Sequence, residues 1–168
     1  MENIDKIFYI NLNHREERRK NIEGELQTYF QDTILESRIE RFPAIQERCP
    51  CLGCLKSHLE IIKISREKGY KNILIFEDDF SFLLPREKVL QSLDELFQFP
   101  EFQFKVVMLS YQSHRTQNYN DILNITTEAD TSSAYRVNES CYDELIKCWE
   151  DSVPLMATTG ESWNYLND

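Results

Sequence analysis

Three consecutive carboxylates, Glu77, Asp78 and Asp79, follow directly on the apolar run NILIF at residues 72–76. Carboxylates this close repel one another, so a folded chain keeps them together where a cation or hydrogen-bond donors offset the repulsion. Oxygen ligands of this kind suit Mn²⁺ or Mg²⁺, which proteins hold with one or two carboxylates and the phosphates of a substrate. The acidic triplet therefore predicts a divalent metal site, and a solvated acidic strand end is the alternative interpretation.

The apolar run that carries these acids is typical of a buried strand in a parallel sheet, because it is apolar without interruption. Ligands of open α/β sheets bind beyond the carboxyl ends of the strands, which is where the acids would lie. Side chains alternate along a strand, so Glu77 and Asp79 are expected on one side and Asp78 on the other. We therefore expect Glu77 and Asp79 to share the metal.

Strands and helices alternate along the rest of the chain. Strands are predicted at three further β-rich stretches, residues 6–12, 104–110 and 131–137. Helices are predicted from capping residues and apolar spacing, after Asn13, from Gly53 to a stop at Gly69, from Pro85 to near Pro100, and after Asn138. Residues 111–120 are polar and are expected to be irregular. The alternation predicts one α/β domain over residues 1–168, with a mostly parallel sheet flanked by helices.

Length and charge restrict the function. A chain of 168 residues can bury a sizeable core as one domain. Its net charge of −10 argues against broad attraction to nucleic acid or to an anionic membrane. Neither a transmembrane run nor a signal peptide is recognisable, so a cytoplasmic location is expected. An anionic substrate would need a local basic patch or a metal ion.

The cysteines leave one alternative open. The chain has five, an odd number without a secretory signal, which predicts reduced thiols rather than a disulfide framework. Cys49, Cys51 and Cys54 form the motif C-P-C-x-x-C, and a small zinc-binding interaction protein could be organised around them. Buried or incidental cysteines are the interpretation that we favour.

Three separated blocks, in this order, carry a resemblance: FYINLNHREERR at residues 8–19, LGCLKSHLEIIK at 52–63 and GYKNILIFEDD at 69–79. They are similar to the opening strand with N-L-x-x-R-x-x-R, the G-C-x-x-S-H-L helix start and the E-D-D strand end of glycosyltransferase family 25. This family is the lipopolysaccharide-biosynthesis and procollagen galactosyltransferase type. A weaker fourth block, residues 131–145, resembles the family's later A-Y block before a helix.

The resemblance implies a GT-A-like fold, in which a Rossmann-like sheet binds a nucleotide sugar together with Mn²⁺ (or Mg²⁺). It implies inverting transfer of a sugar, galactose or glucose, from a UDP-sugar to a glycan or protein hydroxyl. A metal that bridges the diphosphate to Asp79 and a neighbouring acid would stabilise the charge of the leaving group. Asp79 would be the main ligand of the metal, and Glu77 or Asp78 would act with it in catalysis by orienting the ribose, the sugar or a metal-bound water.

The resemblance also implies a donor site. Asn11, Arg15 and Arg18 would lie near the nucleotide, and Ser57 and His58 would lie at the start of the second helix. The arginine fork suits phosphate because its donors match two oxygens at once. The alternatives are that Asn11 closes a strand, Arg18 belongs to a solvated helix face and His58 is a hydrogen-bonded core residue.

The acceptor side is less defined. Inverting transfer needs a base, and Asp130, Glu139 and Glu161 are the candidates. The family continues to an acidic residue followed by tryptophan and leucine. The ending NYLND at residues 164–168 resembles the approach to that block, and a weaker placement uses Glu161 with Trp163. A truncated, noncatalytic donor-binding or scaffold domain is therefore the second functional hypothesis.

Overall fold

The computed structural model describes residues 1–99 and 104–159. The strands are β1 (Lys6–Asn11), β2 (Ile39–Pro43), β3 (Asn72–Glu77), β4 (Val106–Asn118) and β5 (Asn124–Asn138). The α-helices are α1 (Glu16–Phe30), α2 (Pro50–Lys68), α3 (Arg86–Leu96) and α4 (Tyr142–Thr159). Short 3₁₀ helices at Glu36–Arg38 and Glu139–Cys141 precede β2 and α4.

The five strands form one sheet in the order β2-β1-β3-β5-β4. β1 lies parallel to both β2 and β3, whereas β5 lies antiparallel to β3 and to β4. The predicted α/β fold with a helix-flanked sheet is confirmed. The sheet is mixed, because β4 and β5 form a long hairpin that the sequence analysis did not predict.

Helices cover both faces of the sheet. Leu74 and Phe76 of β3 pack in a core cluster with residues of α1 and α3. Ile73 and Ile75 pack in a second cluster with residues of α2 and α4. Since β3 is buried on both faces, its uninterrupted apolar sequence is explained.

Helix α2 positions one wall of the site. It begins at Pro50, three residues before the predicted start at Gly53, because proline is well suited to the first helical position. The predicted stop is confirmed, since Gly69 has a φ of +69° in the left-handed region that favours glycine. Gly53 lies inside the helix, and a Cβ atom there would come within 2.5 Å of the Ile45 carbonyl oxygen.

Three local predictions fare differently. The cap at Asn138 is confirmed, since its Oδ1 accepts a hydrogen bond of 3.0 Å from the Ser140 amide. The cap at Asn13 is wrong, because its Oδ1 accepts from Arg41 at 2.8 Å and α1 has no side-chain cap. The irregular stretch is also wrong, because β4 continues to Asn118. Strand β2 was missed.

In the described part of the chain, every helix is too short or too polar to cross a membrane.

Candidate functional site

A cleft of about 380 Å³ lies at the carboxyl ends of β1 and β3. It is bordered by the start of α1, by residues 44–47 and by the first turns of α2. The predicted site residues other than Asp79 are among its lining residues, namely Asn11, Arg15, Arg18, Ser57, His58, Glu77 and Asp78. The structure thus brings together residues that are far apart in the sequence.

The strand register explains how the acids are arranged. Ile10 of β1 pairs with Glu77 of β3 in parallel register, so the next residues, Asn11 and Asp78, lie side by side. Asn11 Nδ2 donates a hydrogen bond of 2.7 Å to Asp78 Oδ2 and another of 3.1 Å to the Arg15 carbonyl. Glu77 lies on the opposite face, toward α2, as the alternation predicts.

Asp79 does not follow this alternation. β3 ends at Glu77, and the chain then turns, so Asp79 lies on the side of α1 rather than with Glu77. Arg18 Nη1 lies 3.1 Å from Asp78 Oδ1 and 3.4 Å from Asp79 Oδ2. The hydrogen bond that Arg18 donates to Asp78 raises the pKa of the Arg18 guanidinium above its usual value. The guanidinium therefore offsets the repulsion between the two aspartates. The sharing of a metal by Glu77 and Asp79 stays a prediction, and in this arrangement Asp79 is paired with Arg18.

Glu77 belongs to a second set of side chains. Its Oε1 lies 3.3 Å from His58 Nε2 and 3.9 Å from Cys54 Sγ. The ligand atoms of Cys54, His58 and Glu77 all lie within 4.8 Å of one another, and within the described part of the chain this group could hold a metal ion. Sequence reasoning favoured a buried or incidental role for Cys54, although its spacing of four residues from His58 on α2 was a visible signal.

Burial shapes the chemistry of this group. The His58 side chain is 4% exposed and that of Glu77 is 29% exposed. Burial, and next the charge of Glu77, raise the pKa of the Cys54 thiol to about 12. His58 Nδ1 lies 2.6 Å from the hydroxyl of Tyr135, a residue whose burial raises its own pKa well above the usual value. The thiol and the phenol are therefore neutral at physiological pH.

The other two cysteines of the C-P-C-x-x-C motif are packing groups. Cys49 and Cys51 contact a small cluster of Leu52, Leu55 and Met156. All five cysteines are free, and the three of the motif do not converge as ligands. The zinc site proposed for Cys49, Cys51 and Cys54 together is therefore not supported, because among the described residues Cys54 groups with His58 and Glu77 and not with the other two thiols.

Ser57 and Arg41 hold the walls of the cleft in place through hydrogen bonds. The Ser57 hydroxyl donates to the Gly53 carbonyl at 2.7 Å and accepts from the Ile45 amide at 2.8 Å, which ties the loop after β2 to α2. Arg41 donates to Asn11 Oδ1 from Nε at 3.2 Å and from Nη2 at 3.1 Å. Sequence reasoning missed Arg41, because the short, polar strand β2 gave no clear periodic signal.

The candidate bases are not supported at this cleft. Asn138 pairs with Asn72 at the amino end of β3, whereas the acids lie at its carboxyl end. The adjacent Glu139 is therefore too far from the cleft to act as its base. The backbone of Asp130 pairs with Gln112 in the β4–β5 hairpin. Its side chain lies outside the described part of the structure, as do Glu161, Trp163 and residues 164–168.

Comparison with known proteins leaves the family open. The chain matches no protein-family model, and it matches no curated protein. The resemblance drawn from the three sequence blocks therefore stays a prediction. Any function assigned to the chain must be argued from the geometry and the chemistry of the cleft.

Proposed function

We propose that the chain binds a nucleotide-sugar donor in the carboxyl-end cleft and acts as a glycosyltransferase. The observation that carries the proposal is the convergence of two arginines, Arg15 and Arg18, with Asn11 and the acids at the carboxyl ends of β1 and β3. This is the position at which open α/β sheets bind ligands. The arginines supply the local basic patch that a chain of net charge −10 needs to bind a diphosphate.

Arg18 is suited to exchange partners. Its side chain is 48% exposed, and ion pairs at such positions contribute only about 0–1 kcal/mol. A diphosphate offers a guanidinium two or more charge-assisted hydrogen bonds, so it competes well with Asp78 and Asp79. Arginine contacts of this kind would also stabilise the charge that develops on the leaving diphosphate as the sugar is transferred.

The metal expected for such a transfer, Mn²⁺ (or Mg²⁺), fits the observed side chains poorly. Glu77 lies beside a thiol and an imidazole, whereas carboxylates and water are the ligands that Mn²⁺ and Mg²⁺ prefer. Asp79 is paired with Arg18. We therefore derive no step of the reaction through either ion. The donor is proposed as UDP-galactose or UDP-glucose, and the acceptor as a glycan or protein hydroxyl.

A second candidate is a donor-binding domain without transferase activity. The observation that favours it is the bridge from Arg18 to both aspartates, because it leaves these acids already neutralised. Such a domain would bind the same donor and would not release UDP when an acceptor is added. Turnover, rather than binding, separates the two candidates.

The first test is donor binding by thermal shift and isothermal titration calorimetry. UDP-galactose, UDP-glucose and UDP should stabilise the protein, by about 2.7 kcal/mol at a concentration of 100 times Kd, and uridine should stabilise it far less. Arg18→Met should weaken UDP binding. Lys20→Met is the matched control, because Lys20 is an exposed cation on the same helix and does not line the cleft.

Two results would overturn the proposal: no stabilisation by any of the UDP compounds at millimolar concentration, or equal losses in Arg18→Met and Lys20→Met. Where binding is found, UDP release in the presence of mixed glycan and peptide acceptors supports the enzyme. Binding without release supports the noncatalytic candidate. Repeating both assays with Mn²⁺ on the unmodified protein and on Asp79→Ala tests the predicted metal requirement.

A further inference from the structure

We propose that Cys54, His58 and Glu77 form a zinc site with an open coordination position that faces the cleft. This inference rests on the geometry of these three side chains and does not depend on the proposed donor. It differs from the predicted manganese site, in which Glu77 and Asp79 share the ion, both in its ligands and in its class of metal.

The backbone places the three ligands without rearrangement. Cys54 and His58 are four residues apart on α2, so their side chains lie on the same face of the helix, one turn apart. Glu77 is the last residue of β3 and faces that helix. Two elements of regular structure, rather than mobile loops, therefore hold all three groups.

The observed distances suit a small tetrahedral ion. At usual zinc bond lengths, two ligand atoms of a tetrahedral site lie about 3.4–3.6 Å apart. The distance from His58 Nε2 to Glu77 Oε1 is 3.3 Å, and that from Cys54 Sγ to Glu77 Oε1 is 3.9 Å. The atoms of the whole group lie within 4.8 Å of one another. Small rotations about the side-chain bonds would bring the three ligand atoms to this spacing.

The mixture of donor atoms selects the metal. A thiolate, an imidazole and a carboxylate together suit zinc, whereas Mn²⁺ and Mg²⁺ prefer oxygen ligands alone. Three protein ligands leave one of the four zinc positions for water or for an oxygen of a bound ligand. Because all three residues line the cleft, that position opens into it. Binding requires loss of the Cys54 proton, which is released to solvent.

Tyr135 forms a hydrogen bond with the ring nitrogen of His58 that does not face Glu77. Its hydroxyl lies 2.6 Å from His58 Nδ1, on the far side of the ring from Glu77. A phenol can donate or accept, so it can pair with either tautomer of the imidazole. When Nδ1 donates to Tyr135, the lone pair of Nε2 is directed at the metal position. Outer partners of this kind orient metal-binding histidines and raise their affinity.

The test uses Co²⁺ as a spectroscopic probe and Zn²⁺ as its competitor, on the full chain. One equivalent of Co²⁺ should give visible bands of a tetrahedral ion and a near-ultraviolet band from thiolate-to-cobalt charge transfer, and Zn²⁺ should displace it. Cys54→Ser should abolish the charge-transfer band. Cys54→Ser and His58→Ala should each lower the Zn²⁺ affinity by more than about 100-fold, the upper range for loss of an outer partner.

Two controls separate this site from its neighbours. Cys51→Ser should keep the charge-transfer band, because Cys51 lies on α2 outside the ligand group. Asp79→Ala should also keep it, and loss of metal binding in this variant alone would overturn the proposal. Circular dichroism and thermal unfolding show whether each variant folds. If Cys54→Ser or His58→Ala does not fold, Glu77→Gln is used in its place as the variant that should lose Zn²⁺ affinity.

The proposal is overturned if Zn²⁺ does not bind at one equivalent, or if Cys54→Ser binds it as tightly as the unmodified chain. It is supported if binding is lost in Cys54→Ser and His58→Ala and kept in both controls. Failure here is distinct from failure of the donor proposal, because Arg18→Met should weaken UDP binding and leave Co²⁺ binding unchanged.

Discussion

The two ends of strand β3 carry polar clusters of opposite character. At the amino end, Asn72, Arg136 and Asn138 are 1%, 3% and 5% exposed, and Arg136 and Asn138 both donate hydrogen bonds to Asn72. At the carboxyl end, Arg18 is about half exposed, and it reaches Asp78 and Asp79 across the edge of a cleft. A buried polar network stabilises a fold when its members find partners inside the protein, whereas an exposed one keeps the capacity to bind a ligand.

The partners at the amino end come from several elements. Asn72 Oδ1 accepts from Arg136 and, at 3.0 Å, from Asn138. Arg136 also donates to the Phe104 carbonyl at 2.7 Å and lies over the ring of Phe97, 5.3 Å from its centroid. The cluster thus connects β3, β5, the end of α3 and the start of β4, which makes it a structural feature. The carboxyl-end cluster is the one available for chemistry.

Arg136→Met would test this difference most strongly. We expect the free energy of unfolding to fall by roughly 3 kcal/mol, because buried acceptors on Asn72 and Phe104 lose a charged donor. Urea denaturation measures the loss. The affinities for UDP and Zn²⁺ should not change, since Arg136 does not line the cleft.

Arg115→Met is the control for that variant. Arg115 is 75% exposed and lies 3.7 Å from Glu128 in the β4–β5 hairpin. Exposed pairs contribute about 0–1 kcal/mol, so this variant should unfold almost like the unmodified chain. Similar losses in the two variants would contradict a structural role for the amino-end cluster.

Gly53→Ala should have the next largest effect, at the carboxyl end. The added Cβ would lie 2.5 Å from the Ile45 carbonyl oxygen and 3.3 Å from the Glu47 amide nitrogen, so the cleft loop must move. Overpacking of this kind costs about 1–3 kcal/mol. We expect weaker UDP binding as well as lower stability, measured by calorimetry and urea denaturation.

Gly24→Ala provides the contrast for Gly53→Ala. Gly24 also lies inside a helix, and a Cβ atom there meets nothing within 4 Å. Alanine is favoured over glycine in a helix by about 0.5–1 kcal/mol, so this variant should be more stable. If both alanine variants gain stability, the close contact between α2 and the loop does not constrain the cleft.

Much of the parallel half of the fold could be predicted from the sequence, although strand β2 was missed. β3 has the continuous apolar run of a strand buried on both faces, and Gly69 gives the end of α2. The alternation along β3 correctly placed Glu77 and Asp78 on opposite sides. These features depend on local periodicity and local backbone conformation, which the order of residues determines directly.

The contacts within the site could not be predicted in the same way. Asp79 pairs with Arg18 because the strand ends one residue after Phe76, a boundary that periodicity does not fix. The approach of Cys54 to Glu77 depends on how α2 packs against β3. The β4–β5 hairpin is polar along much of its length, so its outer part carries no apolar pattern. Long-range packing decided each of these outcomes.

Tyr135→Phe should have a moderate effect, confined to the proposed zinc site. Loss of the hydroxyl removes the partner of His58 Nδ1, and loss of such outer partners lowers metal affinity by about 10–100-fold. We expect a change near the lower limit, because the ring still packs. Competition between Co²⁺ and Zn²⁺ measures it.

Tyr142→Phe is the matched control for this change. Tyr142 lies in the same core cluster as Tyr135, and its buried hydroxyl has no hydrogen-bond partner among the described residues. Its removal should leave Zn²⁺ affinity unchanged and should not destabilise the fold, since no bond is lost. Equal effects of the two substitutions would show that Tyr135 acts through packing and not through His58.

Arg18→Met should change stability only slightly, although Arg18 contacts two carboxylates. Exposed ion pairs are screened by water and salt, so we expect the free energy of unfolding to fall by less than about 1 kcal/mol, and by less still at high salt. Urea denaturation at low and high ionic strength measures this. Replacing the arginine of each cluster by methionine should therefore distinguish the roles of the two clusters. Arg136→Met should lose stability, and Arg18→Met should lose UDP affinity. A stability loss in Arg18→Met as large as that in Arg136→Met would make the carboxyl-end cluster a structural one and would remove the basis for a donor site there.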